Sequence, residues 1–375
     1  MGPVKIGINA LFLIPGKVGG SETYLRSLVR ALQALPGDHA YVLYTNREAA
    51  GTFELVDPRW REVRCPVAAT NRIARMAYEQ LALPLHAYRD RLDLLHSPGY
   101  TAPLRLPCTN VVSILDLNYH FHPEDWTRLA LAANRTLIPR VARAATRVIT
   151  ISECSRRAIH DVLHVPDEKI TVTLLGADGN LVAPAPHTAV EALGLTGPYI
   201  LTVTASHPHK NVDGLFRAYE RACRAWADPP PLVVVGIRGL HQERLEDLVR
   251  TWQGAGRIVF PGWVDAPLLA ALYRGARVFA FASKYEGFGI PVLEAMTADV
   301  PVVSSNRASL PEVCGDAAIL VDPDDLDAFA AALRRLATDE AARRDLIAKG
   351  RAQGARFTWR RTAEGTLAAY TRASQ

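Results

Sequence analysis

Residues 277–296 read Arg277-Val-Phe-Ala-Phe-Ala-Ser-Lys-Tyr-Glu-Gly-Phe-Gly-Ile-Pro-Val-Leu-Glu-Ala-Met296. The stretch 277–282 is strand-length and almost wholly apolar, as expected of a strand buried on both faces of a parallel sheet. Gly287 and Gly289 then mark a loop. Pro291 stands where a helix begins, a position that tolerates proline because the N–H there has no partner within the helix. The unit is strand, glycine loop, helix, which is the building block of a doubly wound α/β fold.

The same unit repeats in both directions. Toward the N-terminus of this half, apolar runs lie at 199–204, 232–236 and 257–260; toward the C-terminus they lie at 300–304 and 318–321. An earlier set occupies 5–13, 40–44, 92–96, 110–115, 147–151 and 170–175, separated by helix-period segments such as 21–35 and 126–144. The rhythm breaks at 177–198, where Gly179, Pro184, Pro186, Gly194, Gly197 and Pro198 read as a linker. A chain of 375 residues exceeds what one core usually supports. The expectation is therefore two α/β domains, 1–180 and 181–356, with 357–375 as a lone terminal helix. Ligands of such domains bind beyond the carboxyl ends of the strands, and the cleft between two of them is the default site.

Composition narrows the class. Hydrophobic residues make up 49% and the formal net charge is +5, which suits an anionic ligand or anionic surface but is too dispersed for nucleic acid. Cys65, Cys108, Cys154, Cys223 and Cys314 are far apart with no CxxC pair, which reads as reduced thiols in a cytoplasmic protein. The opening residues lack a basic stretch followed by a long apolar one, so no signal peptide is expected, and no apolar run reaches the ~18 residues that span a bilayer. No Asp, Glu, His cluster has metal-ligand spacing, so no metal is expected.

Four loops carry candidate chemistry. In Pro15-Gly-Lys-Val-Gly-Gly-Ser-Glu22, Gly19 and Gly20 let the backbone approach a phosphate at a helix start, with Ser21 as the expected N-cap. The bland alternative is a plain turn. In Thr202-Val-Thr-Ala-Ser-His-Pro-His-Lys-Asn211, Lys210 is expected to open a helix and neutralise a diphosphate, with His207 and His209 as further donors. In 283–296, Glu286 and Glu294 bracket a helix start; two carboxylates there can grip vicinal hydroxyls while the N–H groups of Phe288, Gly289 and Ile290 address phosphate. The bland alternative is two ordinary glutamates, one solvated and one near the helix N-terminus for dipole reasons. Asp116 follows the strand 110–115 and leads into Leu117-Asn-Tyr-His-Phe-His-Pro123, where a carboxylate or imidazole can touch a sugar hydroxyl. His96 also ends a strand, with packing as the competing role. The segment 71–92 places Arg72, Arg75, Arg89 and Arg91 among apolar residues, either as a solvated helix face or as a contact with a lipid-linked acceptor at a membrane.

Together these residues resemble glycosyltransferase family 4, retaining enzymes of GT-B fold. That fold has two Rossmann-like doubly wound parallel-sheet domains facing a cleft, with a C-terminal helix crossing back to the first. The resemblance runs through Gly19-Gly20, Lys210-Asn211, Phe260-Pro-Gly-Trp-Val264, Glu286 to Met296, Pro301-Val-Val303, Leu310-Pro-Glu-Val313, Gly315-Asp-Ala-Ala318 and Phe357-Thr-Trp359. Gly7-Ile-Asn-Ala10 with Gly19-Gly-Ser-Glu-Thr-Tyr24 resembles the bacterial polysaccharide mannosyltransferase branch.

The resemblance implies roles. Glu294 holds the donor ribose and Glu286 the transferred sugar. Phe288, Gly289 and Ile290 hold sugar and phosphate through their N–H groups. Lys210 neutralises the diphosphate, Gly19 and Gly20 approach it, and Trp263-Val264 meets the base. The family's arginine before the lysine is His209 here, and the branch's His-Asp pair is Leu115-Asp116, leaving His120 or His122 as the nearby substitute. The implied activity is hexosyl transfer, mannosyl or glucosyl, from a GDP- or UDP-linked sugar to a saccharide or lipid-linked saccharide in polysaccharide or glycoconjugate synthesis. It needs no separate cofactor, and the protein is expected in the cytoplasm or at the inner membrane face. Glu286, Lys210, Asp116 and His120 are the catalytic candidates. A non-catalytic sugar-nucleotide binder and a same-fold epimerase are the rival readings.

Overall fold

The apolar runs assemble into two parallel sheets in the computed structural model, which describes residues 3–177, 179, 181, 187–237 and 242–375. The first sheet is built from β1 (Lys5–Ala10), β2 (Ala40–Thr45), β3 (Trp60–Arg64), β4 (Leu94–Ser97), β5 (Thr109–Ser113), β6 (Arg147–Thr150) and β7 (Ile170–Val172). The second is built from β8 (Ile200–Ala205), β9 (Leu232–Ile237), β10 (Ile258–Gly262), β11 (Val278–Phe281), β12 (Val302–Ser305) and β13 (Ala318–Val321). Their orders are β3-β2-β1-β4-β5-β6-β7 and β10-β9-β8-β11-β12-β13. In both sheets the order reverses beside the first strand, between β1 and β4 and between β8 and β11. Loops diverge at such a reversal and leave a crevice beyond the carboxyl ends of the strands.

The chain divides into two compact units. Unit one is Met1–Gly176 with Trp359–Gln375, and unit two is Ala177–Thr358. The linker expected at 177–198 falls at the start of unit two, and its positions 178, 180 and 182–186 lie outside the described residues.

Most strands are buried on both faces, which is why they read as continuous apolar runs. At Gly7 in β1 a Cβ would meet Leu92 Cδ1 at 2.4 Å and Leu95 Cδ1 at 2.8 Å, so a larger residue would have to displace both leucines. The run 5–13 is longer than β1 because Asn46 Nδ2 donates to the carbonyls of Leu11 and Leu13 at 2.9 and 2.7 Å, drawing the chain out of the sheet. The edge strand β3 gave no apolar run, since only Trp60 and Val63 of Trp-Arg-Glu-Val-Arg are apolar; Trp60 is anchored by stacking on Tyr41 at 4.3 Å.

Two local expectations need correction. The helix Gly20–Ala34 is capped by Gly19 (φ 59°) and not by Ser21, because the tight turn requires a left-handed φ and no side chain caps the helix. Lys210 does not open the following helix: it closes a 3-10 turn, Pro208–Lys210, and left-handed Asn211 intervenes before Val212–Arg224.

In unit one the terminal helix Trp359–Ala373 is fastened through a buried polar chain. His96 lies between Tyr370 Oη (2.7 Å from Nδ1) and Ser113 Oγ (2.7 Å from Nε2), and Ser113 Oγ meets Tyr24 Oη at 2.9 Å. Thr362 Oγ1 donates to the Leu174 carbonyl at 2.7 Å. His96 is thus a packing residue. Complete burial pushes its imidazole down to about 3 from the ordinary 6.5. A depressed folded value means the unfolded chain takes the proton first, so this contribution is whole above the unfolded value and is lost as pH falls below it. We expect denaturant titrations to show about 2 kcal/mol less stability from this group at about pH 5 than at about pH 8. In His96→Gln that part of the slope should vanish; an unchanged slope would show that another group sets it.

Among the described residues, no helix is long and apolar enough to cross a membrane.

Candidate functional site

In unit two the switch-point strands β8 and β11 each run into a loop carrying predicted residues. The β8 loop delivers Lys210 and the β11 loop delivers Glu286. They meet: Lys210 Nζ lies 2.7 Å from Glu286 Oε1 and 2.9 Å from Oε2. Both side chains are largely enclosed, at 18% and 11% exposure, so the pair is poorly screened by solvent. The Phe281 ring flanks the ammonium, 6.0 Å from Nζ.

The loops are fixed from beneath. His209 uses its carbonyl to accept from Lys284 N at 2.7 Å and from Ser283 Oγ at 3.3 Å, which ties the β8 loop to the β11 loop. Asn211 Nδ2 reaches the carbonyls of Ala282 and Pro323, each at 3.2 Å. Ser309 Oγ sits 2.9 Å from the Glu286 carbonyl and 2.8 Å from the Phe288 carbonyl, holding the glycine loop from the far side. The imidazole of His209 is buried and stacks on His207, with centroids 5.7 Å apart.

Gly289 caps the helix Ile290–Thr297 with φ 108°, and a Cβ there would meet Leu310 Cδ2 at 2.7 Å. The backbone angle therefore favours glycine strongly, and any side chain would also have to push Leu310 aside. Pro291 lies in the first turn, where helix N–H groups have no intrahelical acceptor and present a positive end. Phe288 is buried, edge-on to Phe357 with ring centroids 5.8 Å apart, so only its backbone is offered to a ligand. Glu294, one turn on, accepts from Tyr273 Oη at 3.0 Å. Burial first, and the Glu294 carboxylate second, hold the Tyr273 phenol well above its ordinary value, so it remains a donor. Val264 is buried and Trp263 is 64% exposed; with Ala189, Leu193 and Leu268 they border a shallow hollow of about 480 Å³.

In unit one, Gly19 and Gly20 have open space where a Cβ would stand. Their loop is braced by Glu22, whose Oε2 accepts from Gly16 N at 2.7 Å while Oε1 pairs with Arg26 at 2.8 Å. Asp116 Oδ1 accepts from Tyr100 Oη and from Asn118 N, each at 3.1 Å. His120 is exposed and edge-on to Phe121, and His122 Nδ1 lies 3.0 Å from Glu124. Arg75 differs from its sequence reading as part of a surface segment. It turns inward at 3.3 Å from the buried Glu79, because positions 75, 79, 83 and 87 recur every four residues on the packed face. Glu79 also meets Asn9 and Thr101 at 3.4 and 3.1 Å. Burial raises its carboxyl above the ordinary range against the pull of Arg75.

Sequence reasoning missed Tyr273, Ser309 and Glu22. Glu22 had a local signal, its place within the first turn after the glycines; the others lie far along the chain from the groups they hold. Among the described residues, no group of three or more His, Cys, Asp or Glu is arranged to hold a metal ion.

Known proteins match this arrangement over both units. Residues 18–179 match the family model described as Glycosyltransferase Family 4, and residues 187–353 match Glycosyl transferases group 1. O-antigen chain mannosyltransferase B of Escherichia coli is 33% identical over 293 residues, covering 76% of each chain. Among solved structures, sucrose-phosphate synthase from Thermosynechococcus elongatus superposes with a TM-score of 0.78 at 20% identity, covering 98% of each chain. HepE of Anabaena, solved in complex with UDP-glucose, gives 0.72 at 18% identity, covering 98% of this chain and 100% of that one. These likenesses identify the fold as GT-B. The chain belongs to the glycosyltransferases of family 4 and group 1, and it is a glycosyltransferase.

Proposed function

We propose that the protein transfers a hexosyl group from a nucleoside-diphosphate sugar to a hydroxyl of a saccharide or lipid-linked saccharide acceptor, with retention, in polysaccharide or glycoconjugate synthesis. The observation that carries this reading is the Lys210–Glu286 pair at the carboxyl ends of β8 and β11, with Glu294 one turn into the helix that follows. It combines a cation for the diphosphate, a carboxylate for sugar hydroxyls and a second carboxylate for ribose. Mannose is the first choice of sugar, supported by the mannosyltransferase name of the Escherichia coli relative; glucose is the second. The donor is GDP- or UDP-linked, and the UDP-glucose held by HepE supports the general class.

Lys210 and the helix start at Ile290 stabilise charge that grows on the diphosphate as its bond to the anomeric carbon breaks. The acceptor oxygen forms the new bond on the face the diphosphate leaves, and the departing phosphate oxygen takes the acceptor proton. Glu286 orients the sugar, Glu294 the ribose, Phe288 and Gly289 offer backbone donors, and His209 and Val264 border the donor. Gly19, Gly20, Asp116 and His120 are the unit-one contributors. Proton NMR of the first product tests the stereochemistry: an α-linked product from an α-configured donor is expected, and a β-linked product would overturn retention.

A further inference from the structure

The carboxyl ends of β1 and β4, where the order of the first sheet reverses, hold an ion pair that the proposed reaction does not use. Asn9, the next-to-last residue of β1, donates through Nδ2 to Ser97 Oγ at the end of β4 at 3.2 Å and to Glu79 Oε2 at 3.4 Å. Thr101, just past β4, donates to the same carboxylate oxygen at 3.1 Å, and Arg75 Nη1 does so at 3.3 Å. Three donors therefore converge on one oxygen of Glu79. The other, Oε1, is buried and has no hydrogen-bond partner among the described residues. Arg75 is equally lopsided: Glu79 takes one of its N–H groups, and the described residues offer the rest no acceptor. The Glu79 side chain is 1% exposed and that of Arg75 10%, so the guanidinium is the edge of the pair that meets solvent.

Stability alone does not account for this pair. A buried ion pair seldom outdoes apolar residues of the same volume, and an unsatisfied carboxylate oxygen adds its own desolvation cost. Ligands of parallel α/β sheets bind at a reversal of strand order. At the corresponding reversal of the second sheet, between β8 and β11, stands the Lys210–Glu286 pair. The polarity of the unused groups defines the ligand. Arg75 offers donors only, and ionised Glu79 acceptors only. A hydroxyl both donates and accepts, so two neighbouring hydroxyls satisfy the pair at once. A phosphate or carboxylate would satisfy Arg75 but set like charge against Glu79.

We propose that Arg75 and Glu79 select the acceptor by gripping neighbouring hydroxyls of an uncharged sugar ring: Arg75 donates to one, and Glu79 Oε1 accepts from the next. Asn9 and Thr101 are positioning residues that fix the carboxylate through its other oxygen. The inference rests on the saccharide acceptor of the reading above and adds the residues that recognise it and the kind of sugar they admit.

The test is saturation-transfer NMR of the full chain with methyl α-mannoside and methyl α-glucoside as probes and inorganic phosphate as competitor. At least one glycoside should bind saturably, and phosphate should not displace it. Glu79→Gln keeps the volume and removes the charge, and should weaken glycoside binding about tenfold. Arg75→Lys keeps the charge and loses the planar fork, and should weaken it about fivefold. Both side chains are buried, so thermal melting and calorimetric titration with GDP-mannose and UDP-glucose check that each variant is folded. Thr101→Val, at a half-buried loop position, loosens the same carboxylate and should weaken glycoside binding about threefold even where Glu79→Gln does not fold. A merely structural pair would leave glycoside affinity the same in every folded variant. That result, displacement by phosphate, or no glycoside bound by the wild type would each overturn the proposal. Donor turnover with glycoside present separates the two readings. Glycoside binding that the variants weaken, with no turnover by the wild type, contradicts the proposed reaction; turnover with an unchanged glycoside KM in the variants contradicts only the grip.

Discussion

Lys210→Ala should lower the turnover number about 10²–10³-fold with little change in donor KM, the loss typical of removing one preorganised stabiliser of transition-state charge. The ammonium is held 2.7 Å from Glu286 in a site where 18% of its side chain is exposed, so it is aimed before the donor arrives. Its value rises as the diphosphate bond breaks and negative charge collects, which is why the effect belongs to turnover and not to ground-state binding. Removing it also leaves Glu286 without its cation, in the place assigned to the sugar. Lys210→Arg keeps the charge but changes its shape and reach, and should recover part of the rate. Steady-state kinetics on the three proteins decides: wild-type turnover in Lys210→Ala would end the leaving-group account.

Glu294→Ala should act on the other kinetic constant. Charged hydrogen bonds to two ribose hydroxyls, lost together, correspond to a donor KM about 10–100-fold higher, with turnover at saturation changed far less. Tyr273 gives this prediction a control. Its phenol holds Glu294 Oε2 at 3.0 Å, so Tyr273→Phe should raise donor KM in the same direction by a smaller factor. A turnover defect in Glu294→Ala at unchanged KM would remove Glu294 from the ribose.

The architecture was legible because parallel strands buried on both faces leave unbroken apolar runs, and each run was followed by glycine, proline or a helix-period segment. The stretch 277–296 shows this most clearly. There the strand, the left-handed Gly289, the first-turn Pro291 and the apolar helix face are all local features. β3 was not legible, because its edge position exposes Arg61 and Arg64 and leaves three charged residues, Arg61, Glu62 and Arg64, in the pattern of a loop. The N-cap at Gly19 was misplaced by one rule winning over another: serine is a good cap by chemistry, but the turn needed a positive φ.

Within the site, residue types and positions were readable, but their pairing was not. Lys210 and Glu286 are 76 positions apart. They meet only because β8 and β11 are neighbours in the sheet, and that order is a property of the topology. Ser309 and Tyr273 act on the site from a later loop and an earlier helix, so nothing near them in the chain signals the contact. Arg75 illustrates the reverse error. A basic residue in an amphipathic segment looks exposed until its four-residue spacing to Glu79 is seen to lie on the buried face.

The most direct test of the donor site is calorimetric titration of the full chain with GDP-mannose and with UDP-glucose, each run against the wild type and Glu294→Ala. The account predicts saturable one-to-one binding of at least one donor to the wild type and an affinity about 10–100-fold weaker in the variant. Equal affinity in the two proteins, or no saturable binding of either donor, would contradict it.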